Sequence, residues 1–114
     1  LPPPDAARLL STSRVVDVRS PAEFHDDLGH LPGAELLPLD RLEEAVDRWS
    51  PHERLVVVCR SGRRATAACF RLLEVGFRDV VNLDGGMLAW HDAGFPVCGQ
   101  GHSAHVGATC GARP

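Results

Sequence analysis

The chain has 114 residues, of which 44% are hydrophobic and 24% are charged, as in an ordinary globular domain. This length and composition predict one domain and exclude disordered and fibrous proteins. No apolar run approaches the roughly 20 residues that a membrane-spanning helix needs. All twelve basic residues are arginine, and the net charge of -3 argues against a general nucleic-acid interface.

The first half of the chain alternates strand and helix signals. Residues 14–18 are rich in valine and predict a strand. A capping box at residues 20–23, with serine, proline and glutamate in the favoured places, predicts the start of a helix. Residues 35–37 are a weaker strand candidate, ended by a proline. An acidic box at residues 40–43 predicts another helix, whose spacing is carried by Leu39, Leu42, Val46 and Trp49.

The second half repeats this alternation. Residues 55–58 are continuously apolar, as expected of a strand covered on both faces. The clearest helix follows Cys59 and ends near Gly76, which suits a left-handed cap. Its predicted apolar face comprises Ala65, Ala68, Cys69, Leu72 and Leu73.

A last strand and a last helix follow. Residues 80–83 predict a strand, and a short helix should run from about Met87 to Ala93 and stop at Gly94. Strands that alternate with helices at this spacing predict an α/β fold with a mainly parallel sheet. From Cys98 onward the pattern dissolves into small and polar residues, so we expect a mobile tail.

The four cysteines lie in different settings: Cys59 ends a strand, Cys69 lies within a helix, and Cys98 and Cys110 lie in the tail. A domain of this length with its own core does not need disulfides, so we expect no disulfide framework. We therefore expect a reducing, cytoplasmic compartment. No signal peptide is recognisable, although a first residue of leucine leaves a further N-terminal segment open.

The segment around Cys59 carries most of the chemical information. In open α/β sheets ligands bind beyond the carboxyl ends of the strands, where this cysteine lies. The loop amides and the helix N-terminus should face its sulfur, while Arg60, Arg63 and Arg64 add positive charge and Gly62 lets the backbone curl. A strand-end cysteine is more often an inert core residue. The three arginines favour instead a reactive thiolate in an anion-binding cradle.

The loop after Cys59 is one of five segments, in order along the chain, that resemble the rhodanese-like sulfurtransferases in their single-domain form. The other four are residues 16–19, 21–24, 29–34 and 83–86, the last followed by Trp90. The resemblance covers residues 5–97 and leaves residues 98–114 as a flexible Gly/His/Cys-containing tail. It implies a five-stranded, mainly parallel sheet flanked by helices on both faces.

The same resemblance implies a catalytic role for Cys59, which would carry a sulfane sulfur as a persulfide. The backbone that would bind this sulfur and the anionic donor comprises Arg60, Ser61, Gly62, Arg63 and Arg64. The donor would be thiosulfate or a persulfide, and the acceptor would be cyanide or a thiol. No cofactor, nucleic acid or membrane is implied.

Loop length separates this activity from a rival chemistry of the same fold. Phosphatases of the cell-division type resemble this fold but have a loop one residue longer, with an arginine six positions after the cysteine. Here Arg64 comes five positions after Cys59, which favours sulfur transfer over phosphatase or arsenate reductase activity. A second alternative is a persulfide carrier, or a binding module for a partner protein, with little activity on free small acceptors. The physiological donor and acceptor, and the oligomeric state, stay open.

Other polar residues are interpreted as structural. We expect Asp17 to be a buried hydrogen-bonding centre with Arg19 as its partner or as a support for the loop. His30 should fix the segment that leads into the next strand rather than shuttle protons. Asp84 should cap the last helix, with two glycines permitting a tight turn. Cys69 is expected in the core, and Trp49 and Trp90 in the core or covering it.

The tail allows one metal hypothesis. Two thiols and two imidazoles lie within thirteen residues, a set that tetrahedral zinc accepts: Cys98, His102, His105 and Cys110. Their spacing matches no established zinc motif, and a glycine-rich segment offers no supporting hydrogen bonds, so we expect no metal. A resolving role for either tail cysteine stays open.

Overall fold

The computed structural model describes residues 1–45 and 47–99, and its centre is a four-stranded sheet in the order β2-β1-β3-β4. All three strand pairings are parallel. The strands are β1 Arg14–Asp17, β2 Glu35–Leu36, β3 Arg54–Val58 and β4 Asp79–Asn82. The α-helices are α1 Pro3–Ala7, α2 Pro21–Phe24, α3 Arg63–Glu74 and α4 Gly86–Asp92, and short 3₁₀ helices span Leu10–Thr12 and Leu39–Ala45.

The register of the central strands brings their carboxyl ends to one edge. Asp17 of β1 lies opposite Val58 of β3, so both strands end at the same level. Residues 55–58 are 0% exposed, which agrees with a strand covered on both faces. Cys59 therefore emerges at the centre of the edge where parallel sheets place their ligands.

The strand count differs from the five that the family resemblance implies, since the described residues contain four. The residue patterns themselves indicate these four strands. Ahead of β1, residues 3–7 form a helix because prolines suit its first positions and lack the amide hydrogens that a strand needs. Within residues 1–45 and 47–99, one isolated antiparallel bridge joins His30 and Cys98.

Side chains on the two faces of the sheet form two cores, because neighbouring strand residues point in opposite directions. Val57 packs on the face covered by α3 and by the second 3₁₀ helix, together with Leu42 and Trp49. Val58 packs on the opposite face, which α1 and α4 cover. Trp90 of α4 is buried there. Helices thus flank both faces of the sheet.

The predicted helix boundaries agree with the structure in most places. The capping box of α2 has both of its hydrogen bonds, between Ser20 and Glu23. Gly76 ends α3 with a φ of 111°, as predicted for a left-handed cap, and Gly94 follows α4 with a φ of 80°.

Two helix predictions were wrong. The segment that begins near Leu39 is a 3₁₀ helix rather than an α-helix, because the Arg41 amide closes a three-residue turn on the Pro38 carbonyl. Val46, assigned to its apolar face, lies outside the described residues. On α3, Leu73 is 47% exposed because it is rotated away from the stripe that buries Ala65, Ala68 and Leu72.

Candidate active site

Cys59 lies directly after β3, and its thiol is the focus of two backbone amides. The Gly62 and Ala65 amides donate to Sγ at 3.0 and 3.3 Å. The N-cap residue of α3 is a glycine and has no side chain to accept these protons, so the cysteine sulfur takes the place of a capping group. Cys59 is 1% exposed and forms the floor of its loop. The helix N-terminus and the two amides favour negative charge on this sulfur.

Helix α4 holds the same loop from the other side. The Met87 amide donates to the Cys59 carbonyl at 2.8 Å, and the Leu88 amide donates to the Arg60 carbonyl at 3.0 Å. A Cβ on Gly86 would overlap the Cys59 carbonyl oxygen and lie 2.6 Å from the Arg60 carbonyl carbon. Only glycine permits this approach, so the turn before α4 belongs to the scaffold of the site.

Asp84 does not cap α4, contrary to the sequence prediction. The N-cap is Gly85, which makes no side-chain capping bond. The Asp84 amide instead donates to the Leu1 carbonyl at 2.8 Å. This residue therefore ties the N-terminal segment to the turn.

The loop arginines divide into two kinds. Arg60 and Arg63 are exposed, as is Ser61, and neither arginine forms an ion pair within the described ranges. Arg64 instead donates from Nη1 and Nη2 to the two carboxylate oxygens of Glu23, at 2.6 and 2.8 Å. This bond lowers the pKa of Glu23 to about 2 and raises the pKa of Arg64. Arg60 and Arg63 are thus the loop cations that are accessible to an incoming anion.

Asp17 and Arg19 form an ion pair at the carboxyl end of β1, and both are 0% exposed. Arg19 donates from Nε and Nη2 to the two Asp17 oxygens at 2.9 and 2.8 Å. Nη2 also donates to the Gly29 carbonyl at 2.7 Å. The pair therefore fastens the segment after α2 to the end of β1, which suits the supporting role assigned to it and leaves no exposed acid or base.

His30 is buried beside α2. Its ring stacks on Phe24 with centroids 3.8 Å apart, and Nδ1 lies 3.0 Å from the Phe24 carbonyl oxygen. Burial lowers the pKa of His30. Its backbone exchanges two hydrogen bonds with Cys98, at 2.9 and 2.8 Å. The residue thus holds two chain segments together, in line with the structural role expected of it.

The remaining described cysteines differ from Cys59. Cys69 is free and half-buried at the edge of the core, and burial raises its pKa to about 11. Cys98 is 1% exposed and disulfide-bonded, whereas the sequence suggested a mobile, reduced residue. His102, His105 and Cys110 of the zinc hypothesis lie outside the described residues.

Residues 1–45 and 47–99 contain no group of three or more His, Cys, Asp or Glu side chains that could hold a metal ion. No helix within them is both long and apolar enough to cross a membrane.

Comparison with known proteins assigns the class. The family profile described as the rhodanese-like domain matches residues 3–93, and the chain belongs to this family. A sulfurtransferase of Allochromatium vinosum is 37% identical over 92 residues, which are 79% of this chain and 84% of that protein. The thiosulfate sulfurtransferase GlpE of Shewanella oneidensis is 39% identical over 80 residues, 70% of this chain and 77% of that one.

A solved structure agrees with this assignment. The rhodanese-related protein of Thermoplasma volcanium superposes with a TM-score of 0.78 at 26% sequence identity. The match covers 87% of this chain and 96% of the other. The α/β rhodanese fold expected from the sequence is confirmed, with four parallel strands rather than five in the described residues.

Sequence reasoning missed the partner of Arg64. Glu23 was assigned only to the cap of α2, yet its carboxylate also binds an arginine 41 positions further along the chain. No local pattern encodes a contact across that separation. The available signal was the presence of three arginines in one loop, since at least one of them could be expected to pair with an acidic residue.

Proposed function

We propose that this protein is a sulfurtransferase that carries a sulfane sulfur on Cys59 and draws it from thiosulfate or a persulfide. The observation that supports this most directly is the pair of amides, of Gly62 and Ala65, that donate to Sγ. These amides stabilise the Cys59 thiolate before it attacks the donor, and again when it is released as the acceptor takes the outer sulfur. The sulfurtransferase names of the two relatives support the reaction class.

The proposed reaction has two displacement steps. The Cys59 thiolate attacks the outer sulfur of thiosulfate, a new sulfur–sulfur bond forms, and the old bond breaks as its electron pair leaves with sulfite. The acceptor then attacks the outer sulfur of the persulfide. Cyanide leaves as thiocyanate, a thiolate leaves as a persulfide, and the Cys59 thiolate is restored. No external oxidant or reductant is needed.

The two exposed arginines of the loop fit an anionic donor. Arg60, Ser61 and Arg63 are exposed in the loop that follows the buried Cys59. The arginine charges attract thiosulfate into the loop and offset the repulsion between two anions during attack. We propose that the substrate contacts of Arg64 are made through the backbone, since its guanidinium is bound to Glu23.

Phosphatase or arsenate reductase activity is the weaker proposal. Transfer of a tetrahedral oxyanion needs a guanidinium that grips its oxygens. Arg64, the residue nearest to that role in the sequence, offers its fork to Glu23 instead. A persulfide carrier that serves one partner protein remains the second candidate, and low turnover with free cyanide or small thiols would favour it.

The test is sulfur uptake followed by mass spectrometry. Incubation with thiosulfate should add one sulfur atom to the protein, and cyanide should remove it with release of thiocyanate. Cys59→Ser should abolish both steps, because a serine hydroxyl forms no persulfide. Cys69→Ser is the matched control, since it removes the other free thiol that the structure describes, and it should retain both steps. Sulfur that maps to another cysteine, or survives in Cys59→Ser, would refute the assignment.

A further inference from the structure

The ion pair between Glu23 and Arg64 connects two parts of the fold that meet at the sulfur site. Glu23 lies in α2, which follows β1, and Arg64 lies in the first turn of α3, which follows the loop. Both hydrogen bonds are short, and each guanidinium nitrogen meets its own carboxylate oxygen. This fork fixes the orientation of the arginine as well as its distance.

Glu23 is itself held in place from the sheet. Its Oε1 accepts hydrogen bonds from the Ser20 amide and the Ser20 hydroxyl, both at 3.2 Å. Ser20 directly follows Arg19, which is locked to Asp17 at the end of β1. The carboxylate that receives Arg64 is therefore anchored on a buried part of the scaffold.

The other end of the link is adjacent to the reactive sulfur. Arg64 directly precedes Ala65, whose amide is one of the two donors to Cys59 Sγ. The second donor, the Gly62 amide, lies at the N-cap of the same helix. A shift of the first turn of α3 would move both donors together relative to the sulfur.

We infer that Glu23 is a positioning residue for the sulfur site: by holding Arg64 it keeps the first turn of α3, and thus both amides, directed at Cys59. The kinetic part of this inference rests on the proposed sulfur transfer. The alternative is that Arg64 binds the donor anion directly and that Glu23 competes with the donor for it. The two cases predict opposite results when the carboxylate is neutralised.

The kinetic experiment uses Glu23→Gln, Arg64→Gln and Arg64→Lys with thiosulfate and cyanide. Glutamine keeps the capping box, so Glu23→Gln removes the charge of the pair and leaves the cap of α2. We expect Glu23→Gln and Arg64→Gln each to lower kcat about tenfold with little change in KM, because misplaced backbone amides stabilise the transition state less. Arg64→Lys should resemble Arg64→Gln, since an ammonium cannot form the fork.

Glu44→Gln is the matched control, because Arg41 also binds Glu44 through two nitrogens and both of these side chains are exposed on the second 3₁₀ helix. It should leave both kinetic constants unchanged. If Glu23→Gln instead lowers KM at full kcat while Arg64→Gln raises KM, then Arg64 binds the donor and the inference is overturned. Full activity in Arg64→Lys would overturn it as well.

Amide hydrogen exchange tests the same inference without any turnover. The Gly62 and Ala65 amides should exchange about tenfold faster in Glu23→Gln than in the parent protein, while amides of β3 keep their rates. Unchanged exchange at Gly62 and Ala65 would refute the positioning role even if the protein transfers sulfur. Faster exchange in a protein that takes up no sulfur would uphold the positioning role and refute the proposed function. Arg64→Gln leaves the cap of α2 intact and supplies the same comparison should Glu23→Gln not fold.

Discussion

Replacement of Gly86 by alanine should be far more damaging than the same change at Gly94, although both glycines have positive φ. The angles are 60° and 80°, so each alanine carries a backbone penalty of about 1–2 kcal/mol. A Cβ on Gly94 meets no atom within 4 Å, whereas one on Gly86 would lie 2.6 Å from the Arg60 carbonyl carbon. That carbonyl is held by the Leu88 amide and cannot move freely.

The overlap at Gly86 adds the cost of overpacking, roughly 1–3 kcal/mol. We therefore expect Gly86→Ala to lower the free energy of unfolding by about 2–5 kcal/mol, a large part of the roughly 5–15 kcal/mol that holds a domain together. Urea unfolding of both variants measures this difference. Because the displaced backbone carries Cys59, sulfur uptake should fall in Gly86→Ala and persist in Gly94→Ala. Equal loss of stability in the two variants would refute the argument from contact.

Two further predictions concern charge. Replacing both Arg60 and Arg63 with glutamine should raise KM for thiosulfate more than it lowers kcat, and the effect should shrink at high salt, which screens charges beyond ~10 Å at 0.1 M. The control is Arg78→Gln, which removes another exposed arginine. Kinetic constants at low salt equal to those of the parent protein would contradict the role of Arg60 and Arg63. Because Arg64 lowers the pKa of Glu23 from 4.5 to about 2, the carboxylate stabilises the folded state above the upper value and ceases to do so as pH falls to the lower one. The stability difference between the parent protein and Glu23→Gln, measured by urea unfolding, should be constant above pH 5 and vanish toward pH 2.

Local chemistry accounts for what could be predicted from the sequence. Valine-rich and apolar runs predict the strands because the strands are short and covered by helices. The capping box at Ser20 and the left-handed cap at Gly76 were equally readable, since each depends on neighbouring residues alone. The fifth strand came only from the family resemblance, and residue patterns had given no reason for it.

What could not be predicted depends on contacts between distant residues. Cys98 pairs with His30, which lies 68 positions earlier in the chain, and the glycine-rich sequence around Cys98 has no apolar pattern that would indicate this contact. Arg64 was grouped with Arg60 and Arg63 because all three lie in one loop. Its separation from them follows from a carboxylate on another helix, which only the three-dimensional arrangement brings near.

Backbone amides supply both hydrogen bonds described for the Cys59 sulfur. The carbonyls of Cys59 and Arg60 are turned toward α4, where two amides bind them, so the negative ends of these peptide groups are satisfied away from the sulfur. The positive ends that remain, at Gly62 and Ala65, face Sγ. Because both sets of bonds are made by main-chain atoms, substitutions at Arg60 or Arg63 should change how donors are attracted without changing how the sulfur is held. The orientation of the peptide groups therefore depends on the approach of Gly86 and on the anchor at Glu23.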